Sequence, residues 1–344
     1  MYRLIFLFIL AIAGSVHAET RLPAVFSDGM VVQRDTEIAF WGWDEPGQRV
    51  SVRTGWGGKG TARADENGQW RLVLETPGAG GPFMLTVKGS SRVERRDVLV
   101  GEVWFASGQS NMDMRMRGNT NQPVIGSNEA ILNARNDRIR LFTAERQYSD
   151  EPMADAVGEW VPATPAAVKD FSAVGWFFAE KIEKLIDVPV GIISSAWGGS
   201  NVESWIDAET LTYYGHLGFR EATAGEPERR TPSLMYNGML HPFLGYGIRG
   251  VIWYQGESNR SRPGEYLELF PAMVDSWRRQ WGIGDFPFYY VQIAPKEWDG
   301  GNSAFLREAQ LMAMSVMSNT GMAVTLDIGE CDQIHPAEKR TVAD

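Results

Sequence analysis

The stretch VGEVWFASGQSNM, residues 100–112, decides the fold class because an apolar run of strand length leads directly into a loop of small and polar residues. Val100–Ala106 is typical of a strand buried on both faces, as the strands of parallel sheets are. Predicted helices and strands alternate after it, which indicates a parallel sheet in an α/β layer fold. Arg117–Asp170, mixed and rich in Asn and Pro, is predicted to form loops and short elements. The later predicted elements are the helix Phe171–Leu185, the strands Pro189–Ala196 and Ile248–Tyr254, the helix Tyr266–Trp281, the strand Phe286–Ile293, the helix Phe305–Met317 and the strand Met322–Asp327.

Residues 19–98 show a different pattern, in which short apolar or alternating runs are separated by turns. Asn67-Gly68 is a strong hairpin signal because both positions tolerate a positive φ. Gly57–Gly60 lacks the Lys-Ser/Thr ending of a phosphate loop and is interpreted as a turn. We therefore predict a small all-β sandwich-like domain over residues 19–98 and an α/β domain over residues 99–344. The predicted strands of the first domain are Glu37–Trp43, Arg49–Thr54, Gln69–Glu75 and Phe83–Lys88.

Residues 1–18 have the three parts of a secretory signal peptide. Arg3 precedes the apolar run Leu4–Gly14, which is shorter than the ~20 residues of a membrane span, and residues 16–18 have the small-x-small pattern of a cleavage site. We expect cleavage after Ala18 and a secreted or periplasmic protein, with no membrane insertion of the mature chain because no second apolar run is long enough. The one cysteine, Cys331, excludes an internal disulfide, which fits a bacterial periplasm or the external medium.

The composition excludes several classes of function. The 344 residues include 33 Lys and Arg against 43 Asp and Glu, and an acidic chain without a basic block binds nucleic acid poorly. No His-Glu-x-x-His or Cys/His cluster predicts a metal site, and no Gly-x-Gly-x-x-Gly follows a strand to bind a dinucleotide. We therefore predict no metal, no cofactor and no nucleic-acid partner. The 13 tryptophans suit an ordinary core, or packing against sugar rings.

Four predicted strands end in loops of small and polar residues. Ligands of such folds bind outside the carboxyl ends of the parallel strands, so we expect these loops to converge on one site. Together they supply a serine, two glycines, an asparagine and an Asp-x-x-His, the set that acyl transfer through a serine requires. The loops are Ser107–Met112, Trp197–Asn201, Gln255–Asn259 and Ile328–Pro336.

The predicted catalytic residues are a serine, a histidine and an aspartate. A hydroxyl such as that of Ser110 becomes a nucleophile when a base removes its proton, and His335 is the predicted base. Asp332 lies three residues before the histidine and can hold its tautomer. His216, in a stretch rich in Tyr and Gly, is interpreted as structural or exposed, whereas His241 could line the pocket but has no acid at matching short range.

The same loops supply candidates for an oxyanion hole. The backbone N–H groups of Ser110 and of Gly198 or Gly199, together with the side-chain amide of Asn259, can donate to the oxyanion of a tetrahedral intermediate. Taken singly, each of these residues is more often a turn or a helix cap. The coincidence of four such loops favours an active site.

Five segments, taken in order, resemble the sialate O-acetylesterase family within the SGNH hydrolases. The resemblance implies a flavodoxin-like three-layer SGNH hydrolase domain, a preceding β-sandwich-like segment and the removal of O-acetyl groups from sugars. The segments, in chain order from Gly101 to the Asp-x-x-His, are GEVWFASGQSNM, SSAWGGSNVESW, YNGMLHPF, IWYQGESN and DQIHP.

The resemblance also implies roles for individual residues. Carried over by position, Ser110 is the nucleophile, His335 is the base, and one of the two glycines completes the oxyanion hole with Asn259. Asp332 matches the position of the acid, although relatives vary just before the histidine. Relatives continue well beyond the histidine, whereas this sequence has nine residues after it, so we expect the α/β domain to be truncated. The expected substrate-binding or site-orienting residues are Gln109, Glu257, Trp197 and His241.

The predicted function is hydrolysis of sugar acetyl esters, with O-acetylated sialic acids first because of the resemblance. An acetylxylan-type esterase with the same mechanism is the nearest alternative, since nothing in the motifs identifies the sugar. A non-catalytic carbohydrate-binding protein, using a Trp-rich surface, is the alternative from a different class. The expected partner is an O-acetylated oligosaccharide or sialoside.

Overall fold

A computed structural model describes residues 19–217, 228–298 and 301–344, so the predicted leader lies outside the described residues. The strands are β1 (Val31–Gln33), β2 (Glu37–Trp43), β3 (Arg49–Thr54), β4 (Lys59–Arg63), β5 (Gln69–Glu75), β6 (Gly80–Lys88), β7 (Arg92–Gly108), β8 (Asn136–Thr143), β9 (Trp160–Ala163), β10 (Val190–Ala196), β11 (Gly250–Tyr254), β12 (Phe288–Val291), β13 (Glu297–Trp298), β14 (Gly301–Asn302) and β15 (Thr320–Ala323). The α-helices are α1 (Ser110–Asp113), α2 (Ser127–Asn133), α3 (Pro165–Asp170), α4 (Ala173–Ile186), α5 (Ala208–Thr212), α6 (Pro263–Trp281), α7 (Ala304–Ala313) and α8 (Arg340–Ala343). The shorter helical turns are Val202–Trp205, Gly215–Leu217, Glu228–Arg230, Tyr236–Leu240, His241–Phe243 and Glu257–Asn259.

The central sheet has the strand order β15-β12-β11-β7-β10-β8-β9. The neighbouring pairs are parallel from β15 across to β8, and only the β8–β9 pair at the edge is antiparallel. The predicted parallel sheet of an α/β fold is therefore confirmed. Strand β7 lies in the middle of this sheet, which places the loop after it at the centre of the carboxyl edge.

Helices cover both faces of the central sheet because successive side chains of a strand point to opposite sides. In β7, Phe105 packs against Trp281 of α6, with ring centroids 5.4 Å apart. The neighbouring Trp104 packs against Phe178 of α4 on the other face, at 4.8 Å. The buried apolar residues accordingly form two clusters, one on each side of the sheet.

The two long helices begin and end at residues with a clear local role. The Ser172 hydroxyl accepts the N–H of Gly175 and so caps α4, while α6 begins with Pro263 and is followed by Gly282 at φ 70°. Within the described part of the chain, no helix is both long and apolar enough to cross a membrane.

The first strands pack directly on the central sheet. Strands β2 and β5 pair with each other, while β3 pairs with β4 and β6, and β6 continues this second sheet to β7. The predicted boundary between residues 98 and 99 falls inside β7, which runs unbroken from this sheet into the central one. The apolar core is continuous across that position, with the Phe26 and Tyr246 rings 5.3 Å apart and the Tyr246 hydroxyl donating to the Val31 carbonyl at 2.7 Å.

Some elements differ from the sequence-based prediction. Lys59–Arg63, partly covered by the predicted turn, forms β4, whose side chains are exposed or half-buried and therefore carry no apolar signal. The segment Arg117–Asp170, predicted to form loops and short elements, contains the eight-residue strand β8, whose residues 139–142 are buried within the sheet. Strand β15 ends at Ala323, earlier than predicted, so the histidine does not follow a strand end directly.

Gly108 should tolerate no side chain. It lies at φ +135°, and a Cβ there would be 2.2 Å from the Tyr254 carbonyl oxygen. We expect Gly108→Ala to lower the free energy of unfolding by at least about 2 kcal/mol, through backbone strain and a clash with main-chain atoms. Chemical denaturation of the purified proteins measures the change.

Gly264→Ala is the matched control, because a Cβ on Gly264 in α6 would meet no atom within 4 Å. Alanine should leave stability unchanged or raise it by up to about 1 kcal/mol. Equal stability of the Gly108 variant and wild type would refute the close approach of these two strand ends.

Candidate active site

Three central strands end at the same level of the sheet. The parallel register places Ala196 of β10 and Tyr254 of β11 opposite Gly108 of β7. Past the end of β7, the Gln109 N–H donates to the Tyr254 carbonyl at 2.9 Å, and the Trp197 N–H donates to the Gly108 carbonyl at 3.1 Å. The loops that follow these strands therefore meet at one edge, as the sequence predicted.

Ser110 and His335, the predicted nucleophile and base, are in contact. Ser110 is the first residue of α1, and its Oγ lies 2.7 Å from His335 Nε2 although the two residues are 225 positions apart. The segment that carries the histidine is fixed to the body of the protein. The Ile125 N–H donates to the Ala337 carbonyl at 3.0 Å, and Arg340 forms an ion pair with Glu180 of α4 at 3.0 Å.

The other ring nitrogen of His335 faces a glutamine. Its Nδ1 lies 2.9 Å from Gln122 Oε1, in a turn closed by reciprocal backbone hydrogen bonds between Asn119 and Gln122. When Nε2 accepts the Ser110 hydroxyl, the proton of the neutral ring is on Nδ1 and is donated to this amide oxygen. Gln122 thus fixes the tautomer in which the histidine can act as a base.

The predicted contact between Asp332 and His335 is not formed, which corrects the sequence-based assignment. Asp332 is exposed, and its backbone carbonyl accepts the ammonium of Lys296 at 3.3 Å. A spacing of three residues in a loop does not decide which way each side chain points. The Nδ1 site on the histidine is occupied by Gln122 instead.

His335 is held in its neutral form by its surroundings. Burial, and secondarily the positive charge of Lys339, lower its pKa to about 4. A carboxylate partner would oppose this shift by stabilising the imidazolium, whereas the amide of Gln122 carries no net charge. At neutral pH the ring is therefore ready to accept a proton from the serine.

The glycine pair lies against the serine. A Cβ on Gly198 would be 3.2 Å from Ser110 Cβ, so glycine at this position allows the loop to approach closely. The Gly198 N–H donates to the carboxylate of Asp113, whose pKa is raised by burial and which is also paired with Arg146 at 2.5 Å. This leaves the N–H groups of Ser110 and Gly199 as the backbone candidates for binding an oxyanion.

Asn259 links two loops rather than facing an open site. It is fully buried, its Oδ1 accepts the Val202 N–H at 2.9 Å, and its Nδ2 donates to Glu203 at 2.8 Å. The same Oδ1 also accepts Gln255 Nε2 at 2.8 Å. The structure gives Asn259 these contacts between the loops after β10 and β11, where the sequence predicted an oxyanion donor.

Gln109 and Glu257, predicted to bind substrate or orient the site, are both buried. Gln109 Oε1 accepts the N–H groups of Gly256 at 3.3 Å and Ser258 at 3.2 Å, and so ties the loop after β7 to the loop after β11. Glu257 Oε1 accepts the Asn111 amide at 2.6 Å, and burial raises the pKa of its carboxyl. Of the two predicted roles, substrate binding and orientation of the site, these contacts fit orientation of the site.

Trp197 and His241 lie in different places. Trp197 is half-buried beside Gly198, and its ring is flanked by Arg146 and Tyr148 at 5.9 and 6.4 Å. His241 donates its Nδ1–H to the Met153 carbonyl at 2.7 Å, because a carbonyl oxygen can only accept. It lines two cavities, of about 440 and 800 Å³, and neither is lined by Ser110 or His335. The expected role of His241 in binding substrate stays a prediction.

Three residues of the site were missed or undervalued by sequence reasoning. Gln122 lies in a stretch without apolar pattern, and Lys339 follows the last motif, so neither carried a signal. Asn111 belongs to the GQSNM segment, which predicts no separate role for it. Its Nδ2 donates to Glu257 and, at 2.9 Å, to the carbonyl of Ile334, while its Oδ1 accepts Lys339 Nζ at 2.5 Å.

The described residues offer no group of three or more His, Cys, Asp or Glu side chains that could hold a metal ion. What the site does offer is a serine hydroxyl bonded to a neutral histidine, with backbone N–H groups beside it. Such a pair at the carboxyl edge of an α/β sheet defines the class of serine-dependent hydrolases.

Comparison with known proteins places the chain in a family. The family described as carbohydrate esterase, sialic acid-specific acetylesterase matches residues 100–343. The chain is 28% identical to the sialate O-acetylesterase of Mus musculus, over 100% of this chain and 75% of that protein, and 29% identical to that of Homo sapiens, over 94% and 69%. It is similar to the crystal structure of a carbohydrate acetylesterase from Xanthomonas citri, with a TM-score of 0.85 and 37% identity over 94% of this chain and 73% of the other. The protein belongs to the sialic acid-specific acetylesterase family of carbohydrate esterases.

Gln122, and not Asp332, should orient the histidine. We expect Gln122→Ala to lower kcat for 4-nitrophenyl acetate by about 10- to 100-fold, because the ring loses the acceptor that fixes its tautomer. Asp332→Asn is the matched control and should remain within about twofold of wild type. A large loss in the aspartate variant with none in the glutamine variant would reverse the assignment.

Proposed function

We propose that the protein is a carbohydrate O-acetylesterase that acts through Ser110, with O-acetylated sialic acids as its first substrate class. The observation that carries the proposal is the 2.7 Å contact between Ser110 Oγ and His335 Nε2, on a histidine whose other nitrogen is held by Gln122. Family membership supports carbohydrate acetyl esters as the substrate. The sialic acid assignment rests on the names of the relatives.

The first half of the reaction transfers the acetyl group to the enzyme. Ser110 Oγ attacks the acetyl carbonyl carbon while its proton moves to His335 Nε2, and the carbonyl oxygen becomes an oxyanion. When the C–O bond to the sugar breaks, the same proton passes from His335 to the departing sugar oxygen. Proton transfer of this kind contributes typically ~10²–10⁴-fold to the rate.

The second half regenerates the serine. A water molecule gives its proton to His335 Nε2 and attacks the acetyl-serine, and collapse of the intermediate returns the proton to Ser110 Oγ with release of acetate. In both halves the oxyanion is bound by the N–H groups of Ser110 and Gly199. Losing one such donor typically costs about 3–4 kcal/mol of transition-state stabilisation.

We also propose that the α/β part of the chain is a flavodoxin-like SGNH hydrolase domain. The order β10-β7-β11-β12-β15 corresponds to the flavodoxin-like order 2-1-3-4-5 of an SGNH hydrolase domain, with β8 and β9 added beyond β10. The strands β1–β6 would then form the preceding sandwich-like segment, with β2 and β5 facing the sheet of β3, β4 and β6. We also propose export to the periplasm or medium, supported by the signal-like pattern of residues 1–18.

The rate should fall with acid at an unusually low pH. Protonated His335 cannot accept the serine proton, so kcat/KM is lost as the pH falls through the pKa of the histidine, which lies at about 4. We expect a plateau above about pH 5 and a half-maximal rate near pH 4, measured with 4-nitrophenyl acetate in buffers of constant ionic strength. An acid limb centred at about 6.5, the ordinary value for histidine, would show that the ring is not desolvated.

Acetate release tests the function directly. The protein, incubated with a 9-O-acetylated sialoside and with acetylated xylan, should release acetate from the sialoside faster, and Ser110→Ala should release none above the blank from either. The sialic acid assignment is wrong if xylan is the better substrate, although the esterase assignment would stand. Binding of both sugars by folded wild type without acetate release would favour the carbohydrate-binding alternative and overturn the esterase.

A further inference from the structure

A buried lysine that the proposed reaction does not use contacts Asn111, the residue after Ser110. Lys339 is completely buried, its Nζ lies 2.5 Å from Asn111 Oδ1, and the ammonium lies 5.5 Å from the centre of the Tyr254 ring. Removing a cation from water is costly, so buried lysines are rare unless they are paired or functional. Lys339 lies four residues after His335 and directly precedes α8, so its burial close to the site is informative.

Asn111 connects this lysine to both catalytic residues. It follows Ser110 in the chain, and its Nδ2 donates at 2.9 Å to the carbonyl of Ile334, the residue before His335. The second hydrogen of the same amide is donated to Glu257 at 2.6 Å. One amide thus holds the backbone that carries the base next to the backbone that carries the nucleophile.

The orientation of that amide depends on the lysine. An amide group could turn by half a revolution and exchange its oxygen for its nitrogen. Lys339 has only hydrogens to donate, so the amide oxygen must face it, and the amide nitrogen must then face the two acceptors, Glu257 and the Ile334 carbonyl. The donor at residue 339 therefore reinforces the orientation that the two acceptors favour, because the turned amide would place its own N–H groups against the ammonium.

We propose that Lys339 is a positioning residue, which orients the Asn111 amide so that this amide holds the His335 segment against Ser110. The inference rests on the proposed esterase mechanism for its rate effects. It adds a residue outside the Ser110–His335–Gln122 set that acts through Asn111 and touches no reacting atom.

The charges around the lysine allow a second, independent readout. Lys339 faces Glu257 and Glu330, whose charges raise its pKa, but burial dominates and lowers it to about 7. His335 faces Ser110, Gln122 and the charge of Lys339, and that charge lowers the pKa of the imidazole. Removal of the cation should therefore raise the pKa of His335.

Two substitutions separate hydrogen bonding from charge. Lys339→Met removes both, and we expect kcat to fall at least tenfold while KM changes by less than about threefold, because the substrate itself is not contacted. Lys339→Gln removes the charge but keeps a donor, so it should recover most of the lost kcat. In both variants, NMR titration of the His335 imidazole should give a higher pKa than in wild type.

A double-mutant cycle tests whether the effect passes through Asn111. The double variant Lys339→Met/Asn111→Ala should be no slower than Asn111→Ala alone, since the lysine then has no amide to orient. Lys181→Met is the control, because this half-exposed lysine on α4 pairs with Asp344 in the same terminal segment, at 3.5 Å, and should leave kcat unchanged.

The outcomes are distinct. Wild-type kcat in folded Lys339→Met, whatever the imidazole pKa, or additive losses in the cycle, would overturn the positioning role. If Lys339→Met does not fold, Lys339→Gln and the NMR titration decide the question. Failure of wild type to release acetate from any sugar would refute the proposed function, while the NMR titration would still test the inference.

Discussion

Strand β7 is hydrogen-bonded along its second half to β10 on one side and to β11 on the other, and both neighbours end level with Gly108. The close approach at Gly108, where only a glycine fits beside the Tyr254 carbonyl, allows the chain to turn at once into α1. Because the strand ends coincide, three loops meet within one small region. The position of Ser110, the approach of Gly198 and the loop bonds of Gln109 all depend on this register.

The fourth part of the site comes from the end of the chain and is held in another way. Its link to the sheet passes through Asn111, which bonds the carbonyl of Ile334, and through the ion pair between Arg340 and Glu180. His335 contacts the neutral amide of Gln122 and also experiences the positive charge of the buried Lys339. Such surroundings favour the uncharged ring over the imidazolium, so that in the proposed reaction the histidine remains available as a base in acid.

Much of the fold could be predicted because the pattern of apolar residues follows burial. Strands β2, β3 and β5 have the predicted bounds, and β10, α4 and α6 differ by a few residues at their ends. Strand β4 was missed because none of its side chains is buried, and β8 was missed because its buried run lies in an otherwise polar stretch. The predicted boundary near residue 98 follows a real change of pattern, but hydrogen bonding along β7 continues through it.

The sequence alone determined the class of fold and the proximity of Ser110 and the glycine pair, because strand periodicity and the parallel sheet bring those loops to one edge. It also singled out His335, through the Asp-x-x-His segment, although this histidine does not follow a strand end directly. Only the tertiary structure decided the partners of each side chain. Gln122 takes the place predicted for Asp332 at the histidine, and Asn259 bonds to buried groups of two loops. Such contacts depend on side-chain directions and on donor–acceptor distances defined to within a few tenths of an ångström, which spacing along the chain does not specify. Lys339 joins the site for the same reason: spacing along a chain does not record where a long, flexible side chain ends in space.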